Sequence, residues 1–305
     1  MPDPASPFPR SAAFLHRRAV LAFAGAALSG LALAPAARAQ TARRIVSLDY
    51  GLAETLITLG LPPVGLADVP GWAEWVVEPP LPALTVDVGA NLDPNMEVVS
   101  ALRPDLILTS DYTSAAEPVL SRIAPVERIS IYAPGLVPFD ESTAATRRLG
   151  SLTGLEARAE AFLADTQAFF DATRTACAQF ADTPLLVVSL MDERHVRVYA
   201  PVGLLDSVMK RLGLTNAWQA DGGYWGFETV GIERLSEVGD AQLLLIEPVQ
   251  PDAWARLSQS PLWQALPAVR RRQVRRLPSV LMFGSLVAAR RFAGSLRVAL
   301  ESSAS

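Results

Sequence analysis

In 305 residues the chain has one cysteine, two histidines and one lysine. Cys177 stands alone, so there is no disulfide within the chain and no thiolate metal cluster. It is expected to pack as a small hydrophobe on a helix. His195 is the only histidine outside the N-terminal leader described below, so a Ser-His-Asp triad would have to use it, and no G-x-S-x-G elbow is present. Between Arg194 and Arg197 it reads as an exposed or hydrogen-bonded loop residue. Ser207-Val-Met-Lys210 matches the S-x-x-K of periplasmic penicillin-binding and β-lactamase enzymes. Lys210 is the only lysine, however, so a K-T-G partner cannot exist, and S-D-N is absent. A serine hydrolase using Ser207 and Lys210 remains the alternative from the enzyme class; the expectation is a protein that is not an enzyme. H-E-x-x-H, Walker and dinucleotide motifs are missing. With so few nitrogen and sulfur ligands, no resident cofactor is expected, and any metal would arrive already chelated.

A positive excess is also lacking. There are 27 basic and 31 acidic residues, for a net charge of −4, a poor balance for holding nucleic acid. No apolar run is long enough to span a bilayer. The run from Ala19 to Ala34 has about 16 residues against the ~20 required. It follows Arg17-Arg18 and precedes Ala37-Arg-Ala39, an A-x-A cleavage site. Residues 1–39 therefore read as a signal peptide of twin-arginine type, which places the mature protein in the periplasm. Its removal takes away four arginines and one aspartate, leaving a net charge of about −7.

What remains alternates between strand and helix patterns. Residues 40–150 give Arg44-Ile-Val-Ser-Leu48, a helix from Leu52 to Leu59, Val64–Asp68, a helix from Met96 capped by Asn95, Asp105–Ser110, a helix over Ala115–Ile123 and a strand over Val126–Tyr132. From Leu155 to Phe180 the apolar residues fall on one helical face, and Pro184 ends the pattern. Residues 184–305 repeat the earlier order. Met96-Glu97-Val98-Val99 leading to Asp105–Leu108 resembles Ile232-Glu233-Arg234-Leu235 leading to Asp240–Ile246. The predicted fold is α/β: two similar lobes with mostly parallel sheets, joined by one long helix within 151–183, with a ligand cleft between the lobes. Asn216–Leu235 sets Trp218, Tyr224 and Trp225 around Gly222-Gly223 and contains no His, Cys or Lys. Such a stretch suits holding a ligand rather than reacting with it.

Several of these segments carry a family resemblance. Arg44–Leu48, Trp75-Val-Val-Glu-Pro-Pro-Leu-Pro82, Val86–Gly89, Asp93–Asn95, Arg122–Pro125, Arg194-His195, Asn216–Gln219, Tyr224–Gly226 and Pro261-Leu-Trp-Gln-Ala-Leu-Pro267 occur in family order. The chain resembles the periplasmic ferric hydroxamate (ferrichrome-type) siderophore-binding proteins that feed ATP-driven importers. The resemblance implies a shallow cleft lined by Trp75, Trp225 and Phe283, a monomer, and iron bound only indirectly as a ferric siderophore. It also shows departures. Asn91 stands where the family has an arginine. Thr113 stands where it has a tyrosine, although Tyr112 is adjacent. Leu281 replaces an aromatic, and Gly223 a polar side chain. Arg197, at an apolar family position, is either a replacement cation for the cleft or a solvated strand arginine. Glu97 and Glu233 are implied to dock onto arginines of the membrane permease, against an ordinary role in the first turn of a helix. Another chelate, such as cobalamin or haem, is the alternative ligand.

Overall fold

The computed structural model describes residues 43–302, so the expected signal peptide lies outside the described residues. β1 (Ile45–Ser47) leads into α1 (Tyr50–Thr58) and β2 (Gly65–Leu66). Asp49 starts α1: its backbone is extended and its carboxylate accepts the Leu52 amide, filling one of the donors a helix start leaves open. Next come α2 (Val69–Trp75), β3 (Val86–Asp87), a small hairpin of β4 (Gly89–Ala90) and β5 (Asp93–Pro94), α3 (Met96–Ala101) and β6 (Leu106–Thr109). Asn95 caps α3 as expected, accepting the Glu97 and Val98 amides at 3.1 and 3.2 Å. The helix expected over Ala115–Ile123 is instead a 3-10 turn, Asp111–Ala116, followed by α4 (Glu117–Leu120). Pro118 sits in the first turn of α4, where its missing N–H costs nothing. β7 (Val126–Arg128) ends earlier than the predicted strand. The first sheet has the order β3-β2-β1-β6-β7 and is parallel throughout.

Two helices follow. The first, α5 (Pro138–Thr153), was not anticipated; it stops where Gly154 turns to φ +70°. The second, α6 (Glu156–Cys177), is the expected long helix. It is about 33 Å long at ~1.5 Å per residue and is extended by a 3-10 turn, Ala178–Phe180. Ala159, Leu163, Thr166, Phe170, Thr173 and Cys177 form its buried face, at the three- and four-residue spacing of one helical stripe. Burial pushes the Cys177 thiol up, in keeping with a packing role.

The second sheet begins with β8 (Leu185–Leu190) and β9 (His195–Tyr199), followed by α7 (Leu204–Arg211), β10 (Phe227–Gly231), a 3-10 turn Ile232–Val238 and β11 (Gln242–Ile246). α8 (Pro251–Gln259), α9 (Pro261–Ala265), α10 (Pro267–Arg270), β12 (Val274–Leu277) and α11 (Leu286–Glu301) complete the chain. Its strand order, β10-β9-β8-β11-β12, matches that of the first sheet position for position. One departure separates them: β9 runs antiparallel to β8 and β10. Only residues 191–194 join β8 to β9, enough for a hairpin, whereas β1 reaches β2 through a helical crossover. Alternation divides the two faces of the second sheet. Val187, Tyr199, Leu244 and Ile246 join the core beneath α6, α7 and α11, while Leu186, Val188, Val196, Val198, Leu243 and Leu245 face the opposite core. The last helix, α11, packs on α6 and α7 and also on α1 of the first lobe.

Candidate ligand cleft

A cavity of about 530 Å³ opens where the two sheets present their carboxyl ends to each other. Its walls come from residues just past strand ends, as the general rule for open α/β sheets requires. Asp49 and Tyr50 follow β1, Ser110 and Tyr112 follow β6, Ile131 and Tyr132 follow β7, Glu247 follows β11, and Val280–Phe283 follow β12. Trp75 and Asn91 close the first-lobe side, and Arg197, Tyr199, Trp225 and Phe227 the other. Seven of the expected cleft residues therefore line one space: Trp75, Asn91, Tyr112, Arg197, Trp225, Leu281 and Phe283.

The aromatic rings meet edge to face. Tyr112 and Trp225 face each other across the lobes at 6.3 Å and 87°. Trp225 contacts Phe283 at 5.2 Å, and Phe283 contacts Tyr132 at 5.3 Å and 81°. Steep angles of this kind are a favourable aromatic geometry, and they make a cup rather than two parallel plates. Trp75 and Tyr112 remain 44% and 55% exposed, so both stand at an accessible rim.

Arg197 is the sole cation of this lining. On β9 it alternates with the fully buried Val196 and Val198 and so points to the other face. Its guanidinium lies 4.5 Å from the Phe227 ring centroid, and Nη1 donates to Met282 Sδ at 3.0 Å. Its Nε is buried and has no partner. Arg197 is thus a cleft arginine and not a solvated strand residue. A guanidinium resting on a ring and a weak sulfur acceptor keeps donors in reserve. Two carboxylates share the lining. Glu247 is engaged by Arg276 at 3.1 Å and by the Val249 amide at 2.6 Å. Asp49 keeps part of its surface open, yet loss of water around it pushes its carboxyl up.

Two expected cleft residues are not among the lining. Thr113 is buried, and its hydroxyl oxygen accepts the Ser110 amide at 2.9 Å across the start of the 3-10 turn. Its neighbour Tyr112 takes the cleft position. Gly223 sits at φ +61° in the turn behind Trp225; a Cβ there would meet no atom within 4 Å. Positive φ is thus found at Gly223 but not at Gly222. Gly222 is needed instead for close approach, since a Cβ would come within 2.5 Å of Ala200 Cβ. The aromatic stretch also divides. Trp218 is buried, donating to Glu228 Oε2 at 3.1 Å beneath Arg234, while Tyr224 supports Trp225 with ring centroids 4.5 Å apart. Asp49, Tyr50, Tyr132, Tyr199, Phe227, Glu247 and Met282 were not singled out from sequence. For those after β1, β7, β11 and β12, the available signal was their place just past a strand end.

Ser207 is buried, with its hydroxyl donating to Gly203 O at 3.0 Å, and Lys210 pairs with Asp206 at 2.7 Å. No serine–lysine dyad forms. His195 is exposed, with Nδ1 2.9 Å from Asp192 Oδ2. Among the described residues, no three His, Cys, Asp or Glu side chains gather to hold a metal ion, and no helix is long and apolar enough to cross a membrane. Glu97 and Glu233 are exposed in the first turns before β6 and β11, which occupy equivalent positions in the two sheets.

Comparison with known proteins points the same way. The chain is 32% identical over 249 residues to the iron(3+)-hydroxamate-binding protein FhuD of Escherichia coli (strain K12), covering 82% of this chain and 84% of that protein. It is 29% identical over 247 residues to the achromobactin-binding periplasmic protein of Dickeya dadantii (strain 3937), covering 76% and 77%. Among solved structures, the siderophore-binding protein FhuD of Vibrio cholerae with bound Fe3+-Desferal superposes with a TM-score of 0.79 at 27% identity. That match covers 85% of this chain and 98% of that one. The family model for periplasmic binding proteins matches residues 45–281, nearly the whole span from β1 to the cavity wall after β12, and the chain belongs to that family.

Proposed function

We propose that this protein captures a ferric siderophore of hydroxamate type in the periplasm and delivers it, as a monomer, to an ABC importer of the inner membrane. The observation that carries this reading is the cleft itself: an aromatic cup with one underused guanidinium, Arg197, on one wall. A ferric hydroxamate presents an apolar exterior around oxygen acceptors, which suits such walls and one guanidinium fork. A strongly anionic chelate would need more positive charge than Arg197 supplies beside Asp49 and Glu247. The edge-to-face rings suit a rounded chelate better than the flat macrocycle of haem or cobalamin. Trp75, Trp225, Phe283 and Leu281 supply apolar walls, and Tyr112, Asn91 and Arg197 polar contacts. Iron would be held by the siderophore, with no resident cofactor and no catalysis. Glu97 and Glu233 would engage the permease, one from each lobe, and export would use the signal peptide.

The test is a titration of tryptophan fluorescence against ferric desferrioxamine, ferrichrome, ferric citrate and a ferric catecholate. Saturable quenching by the hydroxamates at micromolar or lower concentration is expected. Absence of quenching by every hydroxamate, or stronger quenching by citrate or catecholate, would overturn the reading.

A further inference from the structure

The segment Leu281–Ser285 belongs by chain to the second lobe, yet the first lobe holds it. Tyr132 donates to Gly284 O at 2.6 Å, and its oxygen lies 3.2 Å from Met282 O. Thr55 donates to Ser285 Oγ at 2.8 Å. Glu54, fully buried on α1, accepts the Ser285 amide at 2.5 Å, the Ser285 hydroxyl at 2.8 Å and the Ala288 amide at 3.4 Å. The two backbones touch: a Cβ on Gly51 would lie 3.3 Å from Phe283 O and Gly284 C, and one on Gly284 would lie 2.9 Å from Glu54 Oε1. Glu54 thus caps the start of α11 from the opposite lobe, immediately behind the residues that wall the cavity.

The hydrogen bonds to Glu54 are lopsided. All three donors converge on Oε1, while Oε2 is buried with no partner. An ionised carboxylate out of water needs acceptance at both oxygens. A neutral carboxyl can keep its donors on Oε1 and carry its proton on Oε2. No cation faces it. The titratable groups that act on it are Asp49, at the start of α1, and Tyr132. On α11, Arg290 and Arg291 pair with Asp165 and Glu78. On α5, Asp140, Arg147 and Arg148 pair with Arg211, Glu160 and Glu127, and Glu141 lies in the same first turn as Asp140.

We propose that Glu54 is a positioning residue for the ligand cleft: a proton-controlled latch that holds Leu281–Ser285 against the first lobe when neutral and loosens it when ionised. The carboxyl never touches the ligand; it acts through Phe283 and its neighbours. Burial, set against the bonds from Ser285 and Ala288, raises Glu54 from 4.5 to about 7. In an opened latch the carboxyl would regain water and its ordinary value. The closed form therefore binds the proton more tightly, and its advantage is full below about 4.5 and lost progressively up to about 7.

The inference rests on reading the cavity as the ligand cleft, so its test uses one readout that needs no ligand. Amide exchange at Ser285 and Ala288, corrected for intrinsic rates, is followed in the ligand-free protein from pH 5 to 8. Protection in the wild type should fall as pH rises to about 7, by up to about a hundredfold, and then level off. Glu54→Gln, neutral and still an acceptor at Oε1, should show no step. In parallel, the wild type should bind ferric desferrioxamine more weakly at pH 8 than at pH 5.5, and Glu54→Gln equally at both. Glu54→Ala, which loses the acceptor, should bind roughly tenfold more weakly at either pH. A Glu54→Gln variant that keeps the wild-type exchange step, or a wild type with no step, would overturn the latch. An exchange step in a protein that binds no ferric desferrioxamine would support the latch and count against the proposed ligand.

Discussion

Arg197 projects its charge from a strand whose neighbouring side chains, Val196 and Val198, are wholly buried. A hydrogen bond from a charged donor contributes about 1.5–3 kcal/mol, so Arg197→Ala should weaken ferric hydroxamate binding by roughly 10- to 100-fold while leaving the melting temperature nearly unchanged. Titration and thermal denaturation of the same variant check both halves of that expectation. Single residues were legible in the sequence where an element carried them. The period-two pattern of β9 sets Arg197 opposite its valines, and the Trp75 and Trp225 walls fall within the segments that carry the family resemblance, while Phe283 lies beyond the last of them. Legibility failed at Thr113. Inside a 3-10 turn no periodicity tells Tyr112 from Thr113, and the choice is made by a local bond, the Ser110 amide to the Thr113 hydroxyl. It also failed at Glu54, whose role depends on a partner 231 residues away in sequence.

Among the elements, the loop before β10 shows how closely backbone packing controls the cleft. Gly226 has φ +69°, and a Cβ there would lie 2.2 Å from Gly203 Cα. Gly226→Ala is both strained and overpacked, and should cost roughly 2 kcal/mol or more. Because Trp225 is the adjacent residue, siderophore affinity should fall with stability; chemical denaturation and fluorescence titration would read the two effects. In the first lobe β1, α1, β2, α3 and β6 were readable from short apolar runs and cap residues, and the linking helix from its single apolar face. The direction of β9 was not, because alternation looks alike in a parallel and an antiparallel strand. The four-residue link after β8 was the one clue, since it is too short for a crossover. α5 is not legible in this way because its buried face is partly polar, with Ser142, Thr146 and Thr153 donating to carbonyls of the same helix, and packing against α6 and α7 settles it.

At the scale of the whole molecule, the shared strand order carries Glu97 and Glu233 to matching positions before β6 and β11. If the pair engages the permease, Glu97→Ala with Glu233→Ala should abolish siderophore uptake in cells while ligand affinity in solution stays within about twofold. Loss of both together, or of neither, would count against docking. Exposed carboxylates contribute little to folding, so the double variant should remain stable. The contact of α1 with α11 bears on modularity. The two lobes look separable at α6, yet α11 packs on α1 and its start is capped from there by Glu54. A chimaera built by exchanging everything after α6 with a relative would pair a foreign α11 with a native Glu54 and Tyr132. Recombination that respects this architecture must carry α1 and Tyr132 together with α11 and the second-lobe core that α11 also covers, so the inheritable unit is discontinuous in the gene although it is contiguous in space.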